Sequence, residues 1–326
     1  MRIAVTGAAG FIGFHLSKHL IGSGNEVTLI DNLDAAYGRS LPMLRSHLLE
    51  ESFGVQFKFC DLHAIDDQEI LSLLEGAEAV VHLAAWPGVR QSRLQPLAYS
   101  KNNINTFNKV IEAVRVLNTP KFVFASSSSV YGNLGVNGPV SEDEADGKNL
   151  LSYYANTKWI NELVAQHYAS NYNISATALR LFTVYGPLGR PDMAYWKFAD
   201  KLSRKEVIHL HGKSGGSRCF TFIEDVVQII AALLQPEVSL VGTKSLNISN
   251  GKPSTTLELL NSLAKSLDIT TFEYSEIERP KDDVETTWAN TLNLDRLIKR
   301  IPSTSLEMGI SRFVNWYQSF DVEKRL

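Results

Sequence analysis

The stretch Arg2-Ile3-Ala4-Val5-Thr6-Gly7-Ala8-Ala9-Gly10-Phe11-Ile12-Gly13 decides the fold. It opens on a short β-type run, passes through a glycine turn, and leads into residues 14–21, which carry helical periodicity. The order is strand, glycine turn, helix. In that order Gly7 permits a tight turn, Gly10 lets the backbone approach a pyrophosphate, and Gly13 permits close packing of helix on strand. Phe11 and Ile12 then fall at the helix N-terminus, where unpaired amides suit a phosphate. A second strand is expected over residues 26–30, and Asp31 closes it, followed by Asn32. A carboxylate at that distance accepts hydrogen bonds from ribose hydroxyls and repels a 2′-phosphate, which favours NAD over NADP.

Further strand-like runs follow at 55–59, 79–83, 121–125 and 174–181, with helical patterns at 67–74, 97–117 and 156–172 between them. This alternation predicts an α/β fold, a doubly wound parallel sheet with ligands at the carboxyl ends of its strands. Asp61 sits just beyond a strand end, where a carboxylate can take an adenine amino group or cap a helix, and spacing leaves both open. After about residue 180 the pattern is broken by Pro187, Gly189, Pro191, Gly212, Gly215 and Gly216. A strand end running into a helix is expected at 220–235, a helix at 257–267 and a terminal amphipathic segment at 313–320. The expected organisation is a dinucleotide-binding domain over 1–180 and a smaller substrate-binding domain over 181–326, partly interleaved with the first.

Chemistry is expected at Ser152-Tyr153-Tyr154-Ala155-Asn156-Thr157-Lys158, where Tyr154 and Lys158 fall four apart on one helix face. A phenol is a poor base at neutral pH, with a reference pKa of about 10. A nearby ammonium favours the phenolate, and a shift to about 7 needs roughly 4 kcal/mol of differential interaction. Ser126 to Ser129 follow the strand at 121–125 and precede Val130-Tyr131-Gly132. Hydroxyls there lie where a bound sugar meets the nicotinamide, so one of them can hold the reacting hydroxyl and share its proton with the tyrosine.

Composition narrows the partners. With 326 residues, 44% hydrophobic and 21% charged, the chain can bury one large or two moderate cores. A net charge of -3 without a basic block argues against a nucleic-acid or anionic-membrane partner. Cys60 and Cys219 read as reduced thiols. The chain opens directly on a strand-like segment, and no apolar run approaches membrane-spanning length, so a cytoplasmic location is expected. His209 and His211 alternate on a strand-like run without a cysteine or carboxylate at ligand spacing, and His15 and His19 share a helix face. No metal site is expected from either pair.

Taken together, Gly7 to Gly13, Asp31, the serine run with Val130-Tyr131-Gly132, and Tyr154 to Lys158 resemble an extended short-chain dehydrogenase/reductase over nearly the whole chain, a family of Rossmann-type fold. A closer likeness is to the UDP-glucuronate 4-epimerases. It rests on His82-Leu83-Ala84-Ala85-Trp86-Pro87-Gly88-Val89-Arg90-Gln91-Ser92, on Leu181-Phe182-Thr183-Val184-Tyr185-Gly186-Pro187-Leu188-Gly189-Arg190-Pro191-Asp192-Met193-Ala194, on Arg218-Cys219-Phe220-Thr221-Phe222-Ile223-Glu224-Asp225 and on Trp288-Ala289-Asn290-Thr291. The resemblance implies Ser127, Tyr154 and Lys158 as the catalytic set, with Lys158 also on the nicotinamide ribose. It implies an NAD site that adds Leu62, Leu83, Ala84 and Ala85 to the residues above. Ser128, Ser129 and Thr183 are implied at the sugar C5–C6 region, Arg190 near the uronate or nucleotide, Arg218 on a phosphate, and Gly88, Val89 and Arg90 on the substrate side. It also implies a homodimer through the helices at 97–117 and 156–172.

Two stretches depart from the family pattern. Arg279-Pro280-Lys281-Asp282-Asp283-Val284 leaves a phosphate contact by Arg279 or Lys281 open, and Trp86-Pro87 replaces smaller or polar residues. The implied reaction is 4-epimerisation of a UDP-sugar through a 4-keto intermediate. Related dehydratases use Asp-Glu where this chain has Ser128 and Ser129, which cannot supply that acid and base. Decarboxylation of UDP-glucuronate and neutral-sugar epimerisation stand as the alternatives. A non-enzymatic member would be expected to lack the tyrosine or the lysine.

Overall fold

The first expected strand, helix and strand are β1 (Arg2–Thr6), α1 (Phe11–Gly22) and β2 (Glu26–Asp31) in the computed structural model, which describes residues 1–242, 244–280, 283–298 and 303–320. α2 (Ser40–Phe53), β3 (Phe57–Phe59), α3 (Asp67–Leu74) and β4 (Ala79–His82) follow. The pattern at 97–117 is one helical run in pieces. After α4 (Val89–Leu94), α5 (Pro96–Tyr99) passes through a π-helical segment, Ser100–Asn105, into α6 (Thr106–Leu117). β5 (Lys121–Ser127), α7 (Tyr153–Tyr172) and β6 (Ala176–Leu181) complete the first part. Beyond it come β7 (Thr183–Tyr185), α8 (Ala194–Ser203), β8 (Ile208–His211), β9 (Ser217–Arg218), β10 (Phe220–Phe222) and α9 (Ile223–Leu234). The remainder is β11 (Ser245–Ile248), β12 (Ser254–Thr255), α10 (Thr256–Ser266), β13 (Tyr274–Ile277), β14 (Thr286–Thr287), α11 (Leu292–Leu297) and α12 (Leu306–Ser319).

Seven strands pair in parallel in the order β11-β6-β5-β4-β1-β2-β3. This is the doubly wound, Rossmann-type sheet expected from the alternation. Successive residues of a strand point to opposite faces, and both faces here are covered. Ile3 and Val5 pack with Phe14, Leu16 and Leu20 of α1, while Ala4 packs on the other side with Val110 and Val114 of α6. Strands buried on both faces are apolar throughout, as residues 79–81 are. Strand order reverses between β1 and β4, which opens a crevice over their carboxyl ends.

The chain after residue 180 returns to this sheet. β11 pairs with β6, and α9 packs on α1. The segment 181–326 is therefore threaded into the first part, with smaller sheets β7-β10, β12-β9-β14 and β8-β13 beside it. Among the described residues no helix is long and apolar enough to cross a membrane.

One buried polar network joins the strands that matter most. The guanidinium of Arg180 in β6 donates to the Glu162 carboxylate of α7 at 3.1 and 2.7 Å, to the Tyr131 hydroxyl at 2.8 Å and to the Glu142 carbonyl at 2.6 Å. Ser126 of β5 donates to the same carboxylate, and Tyr131 passes its own proton to Asn247 of β11 at 2.6 Å. α7 begins at Tyr153 because Ser152 caps it, its hydroxyl accepting from the Ala155 amide at 3.1 Å. That start lies ahead of the expected residue 156 and brings Tyr154 into the first helical turn.

Candidate active site

A cavity of about 1020 Å³ lies along the carboxyl ends of β1, β2, β4, β5 and β6, lined by Gly7, Asp31, Leu83, Ser127 and Leu181 among others. At its dinucleotide end Gly7 has φ 74°, and a Cβ there would sit 2.6 Å from the Ala84 amide nitrogen. A Cβ on Gly13 would sit 2.0 Å from the Gly7 carbonyl oxygen. Neither position can carry a side chain, so the turn is closed by backbone contact alone. α1 starts at Phe11 with no side-chain hydrogen bond to its cap and no acid in its first turn. The amides of Phe11 and Ile12 therefore remain available to an anion.

Asp31 stands at the end of β2, its two oxygens accepting from the Ala9 amide at 2.8 Å and the Leu33 amide at 2.7 Å. Burial pushes this carboxyl up, against the pull of those amides and of the Arg45 charge. Each oxygen keeps a lone pair for a ribose hydroxyl. Asn32 closes a local turn by accepting from the Asp34 amide at 2.9 Å. The helix-cap alternative for Asp61 is not realised, because Asp66 caps α3 through the Glu69 amide. The Asp61 carboxylate pairs instead with His63 Nδ1 at 2.5 Å and, with Leu62, Ala84 and Ala85, lines the cavity.

The reacting groups converge midway. Ser127 ends β5, and its hydroxyl lies close enough to the phenol of Tyr154 to draw its pKa down. Ser129 donates to the Ser127 oxygen at 2.9 Å, while the Tyr154 amide is held by the Ser92 hydroxyl at 3.0 Å. The Tyr154 ring meets that of Tyr99 edge-on at 6.4 Å, and Tyr99 meets Trp86 at 5.8 Å. Of the departure noted in the sequence, Trp86 thus joins the aromatic wall, and the Pro87 carbonyl accepts from the Tyr99 hydroxyl at 2.8 Å.

Lys158 lies one turn further along α7. Its ammonium donates to the Ala125 carbonyl at 2.8 Å and lies 5.8 Å from the Tyr154 ring centre. Burial lowers it to about 8, opposed by Glu162. Burial likewise pushes the Tyr154 phenol up, and the influences drawing it down are the Ser127 hydroxyl and the charge of Arg190. Arg190 is thus a second cation, besides the lysine one turn away, that bears on the phenol.

Arg190 comes from the loop after β7, its fork held by Asp192 at 3.0 and 2.6 Å. Thr183, Ser128, Ser129, Gly88, Val89 and Arg90 line the same space. Arg218 also reaches the cavity, but its donors are taken up by Asp283 at 2.9 Å and by the carbonyls of Ser217, Val284 and Glu285. Arg90 approaches the other oxygen of Asp283 at 4.0 Å. Arg279 does not line the cavity. It lies over Gly212 and Gly216 and donates to the Val284 carbonyl at 3.3 Å. Lys281 lies outside the described residues.

Several lining residues were not singled out as ligands from sequence. Lys197, Lys201, His209 and His211 add basic groups at the end occupied by Arg218, and Tyr37 lies opposite Arg190. The alternation of His209 and His211 on a strand places both on one face, a signal weighed only for metal binding.

The model of the NAD dependent epimerase/dehydratase family matches residues 3–249. Protein CapI of Staphylococcus aureus is 36% identical over 98% of this chain and 99% of its own length. The UDP-glucuronate 4-epimerase of Thermodesulfobacterium geofontis is 33% identical over 96% of this chain and 94% of its own. Among solved structures, the UDP-glucuronic acid 4-epimerase from Bacillus cereus in complex with UDP-glucuronic acid and NAD superposes with a TM-score of 0.90 at 32% identity, covering 98% of this chain and 99% of that one. With its parallel sheet, glycine turn and Ser127–Tyr154 pair in place, the chain belongs to the NAD dependent epimerase/dehydratase family.

Proposed function

We propose that this chain is an NAD-dependent nucleotide-sugar 4-epimerase that interconverts UDP-glucuronate and UDP-galacturonate. The observation that carries the reading is one cavity holding the glycine turn and Asp31 at one end, the Ser127–Tyr154 pair midway, and Thr183 and Arg190 facing that pair. Relatives named for this reaction support it.

Gly7, Gly10, Phe11, Ile12, Gly13, Asp31, Asn32, Asp61, Leu62, Leu83, Ala84, Ala85 and Lys158 would hold NAD, which supplies the acceptor and donor of hydride for the sugar C4. Tyr154 Oη takes the proton of the sugar 4-hydroxyl while Ser127 Oγ holds the same oxygen. When the keto sugar has turned over, the phenol returns that proton. Arg190 places a positive charge where both the phenolate and a uronate carboxylate need one, and a guanidinium suits a carboxylate because its planar donors engage two oxygens. Ser128, Ser129 and Thr183 hold the carboxylate out of line with the C4 carbonyl, which keeps CO₂ from leaving. Arg218, Arg90 and the backbone at Gly88 and Val89 face the nucleotide.

In this reading the segment 181–326 supplies most of the substrate side and the segment 1–180 the cofactor side. The protein acts in the cytoplasm as a homodimer, supported by the exposed Leu97 and Leu163 on the helical stretches expected to pair. A monomeric mass by light scattering contradicts the dimer.

Tyr154→Phe keeps NAD bound and loses turnover of UDP-glucuronate by about 10²–10⁴-fold, the usual worth of a positioned acid–base group. Product analysis by NMR checks this, and activity within a few-fold of wild type would show that the base is misassigned. A second expectation concerns pH. The reaction needs the phenolate, so activity is present above the phenol's pKa and falls as pH drops through it. Burial raises that pKa and Arg190 lowers it. Arg190→Gln therefore moves the rising limb of kcat/KM to higher pH, and an unmoved limb contradicts this role.

A further inference from the structure

The loop that carries Arg190 is gripped at three consecutive carbonyls by side chains of the dinucleotide half. His15 of α1 donates through Nε2 to the Pro187 oxygen at 2.9 Å, and burial keeps this imidazole low, at about 4. Arg45 of α2 donates to the Leu188 oxygen through Nε at 3.0 Å and Nη2 at 2.7 Å, and to the Gly189 oxygen at 2.9 Å. Its remaining Nη1 reaches the Ala9 oxygen of the glycine turn at 3.3 Å and the Tyr37 hydroxyl at 3.0 Å. Leu188 is held at φ 52°, a conformation that a non-glycine residue seldom adopts without such restraint.

Arg45 is completely buried and so cannot touch a substrate. A buried guanidinium is costly to desolvate, and this one directs its hydrogen bonds to backbone carbonyls and one phenol. The phenol ring links it to Arg190. Tyr37 stands between the two cations, 5.9 Å from the Arg45 guanidinium carbon and 5.8 Å from that of Arg190. Arg190 is thus held by the Tyr37 ring and by an ion pair with Asp192. Without the ring, the ion pair with the half-exposed Asp192 becomes the main hold on the guanidinium.

We propose that Arg45 and Tyr37 are positioning residues that set where the Arg190 guanidinium stands, and through it set the preference of the cavity for an acidic over a neutral nucleotide sugar. This rests on the reading of the cavity as an acidic-sugar site. Losing the cation–π contact weakens the hold on a carboxylate and leaves contacts to a neutral sugar intact.

The test is calorimetric titration of the NAD-loaded full chain with UDP-glucuronate and with UDP-glucose, using wild type, Tyr37→Leu, Tyr37→Phe and Arg45→Lys. Tyr37→Leu is expected to weaken UDP-glucuronate binding roughly tenfold while UDP-glucose changes less than about twofold. Tyr37→Phe, which keeps the ring, retains most of the preference, and Arg45→Lys, which keeps the charge and loses the fork, shares the selective loss. A wild type that prefers UDP-glucuronate, with Tyr37→Leu weakening both sugars equally or neither, overturns the proposal alone. A wild type that binds the two sugars equally defeats the acidic-sugar reading and the proposal with it.

Discussion

The buried ion pair between Arg180 and Glu162 is the constraint on which the site depends. Removing one partner of such a pair commonly costs on the order of 3–5 kcal/mol, because the other is left charged and unpaired in the interior. Here the pair also fixes geometry. Glu162 ties α7 to β6 through Arg180 and to β5 through Ser126, and Lys158 adds a tie to the Ala125 carbonyl one residue earlier. Tyr154 rides on the first turn of that helix and Ser127 on the end of that strand. The nearness of phenol and serine is a consequence of anchoring their two elements at a shared carboxylate.

Electrostatics at the site is local. The chain as a whole carries a net charge of -3, so an anionic ligand finds no attraction from the molecule at large. Arg190, Arg218, Arg90, Lys197 and Lys201 instead gather around one cavity. Asp192 and Asp283 pair with the first two. Those carboxylates hold the cations in place at the cost of using some of their donors. The Tyr154 phenol sits between opposing effects, since the burial that excludes water from it also disfavours its charged form.

Much of this was legible in the sequence, for identifiable reasons. Gly7, Gly13 and Asp31 belong to one short βαβ unit, where local spacing dictates geometry. Ser127, Tyr154 and Lys158 sit at a strand end and near a helix start, although the periodicity places that start at 156 and misses the Ser152 cap ahead of it. What stayed hidden depends on distant contacts. α2 reads poorly as an amphipathic helix because it buries Arg45 and Ser46 beside Leu41 and Leu49, and the carbonyls that satisfy Arg45 lie some 140 residues away in sequence. β11 is a Ser-Leu-Asn-Ile run whose buried Asn247 looks like loop until Tyr131, Glu142 and the Val140 carbonyl are brought to it. The second cation at the phenol stayed hidden for a similar reason. Lys158 is four residues off in sequence, whereas Arg190 arrives from another element.

The central claim is that Tyr154 moves only the proton on the sugar oxygen, while the hydrogen on C4 leaves and returns without meeting water. NMR of the product from UDP-glucuronate carrying deuterium at C4 tests this most directly. The account predicts UDP-galacturonate with its deuterium kept at C4. Loss of that deuterium to solvent, or a UDP-pentose as the main product, would contradict it.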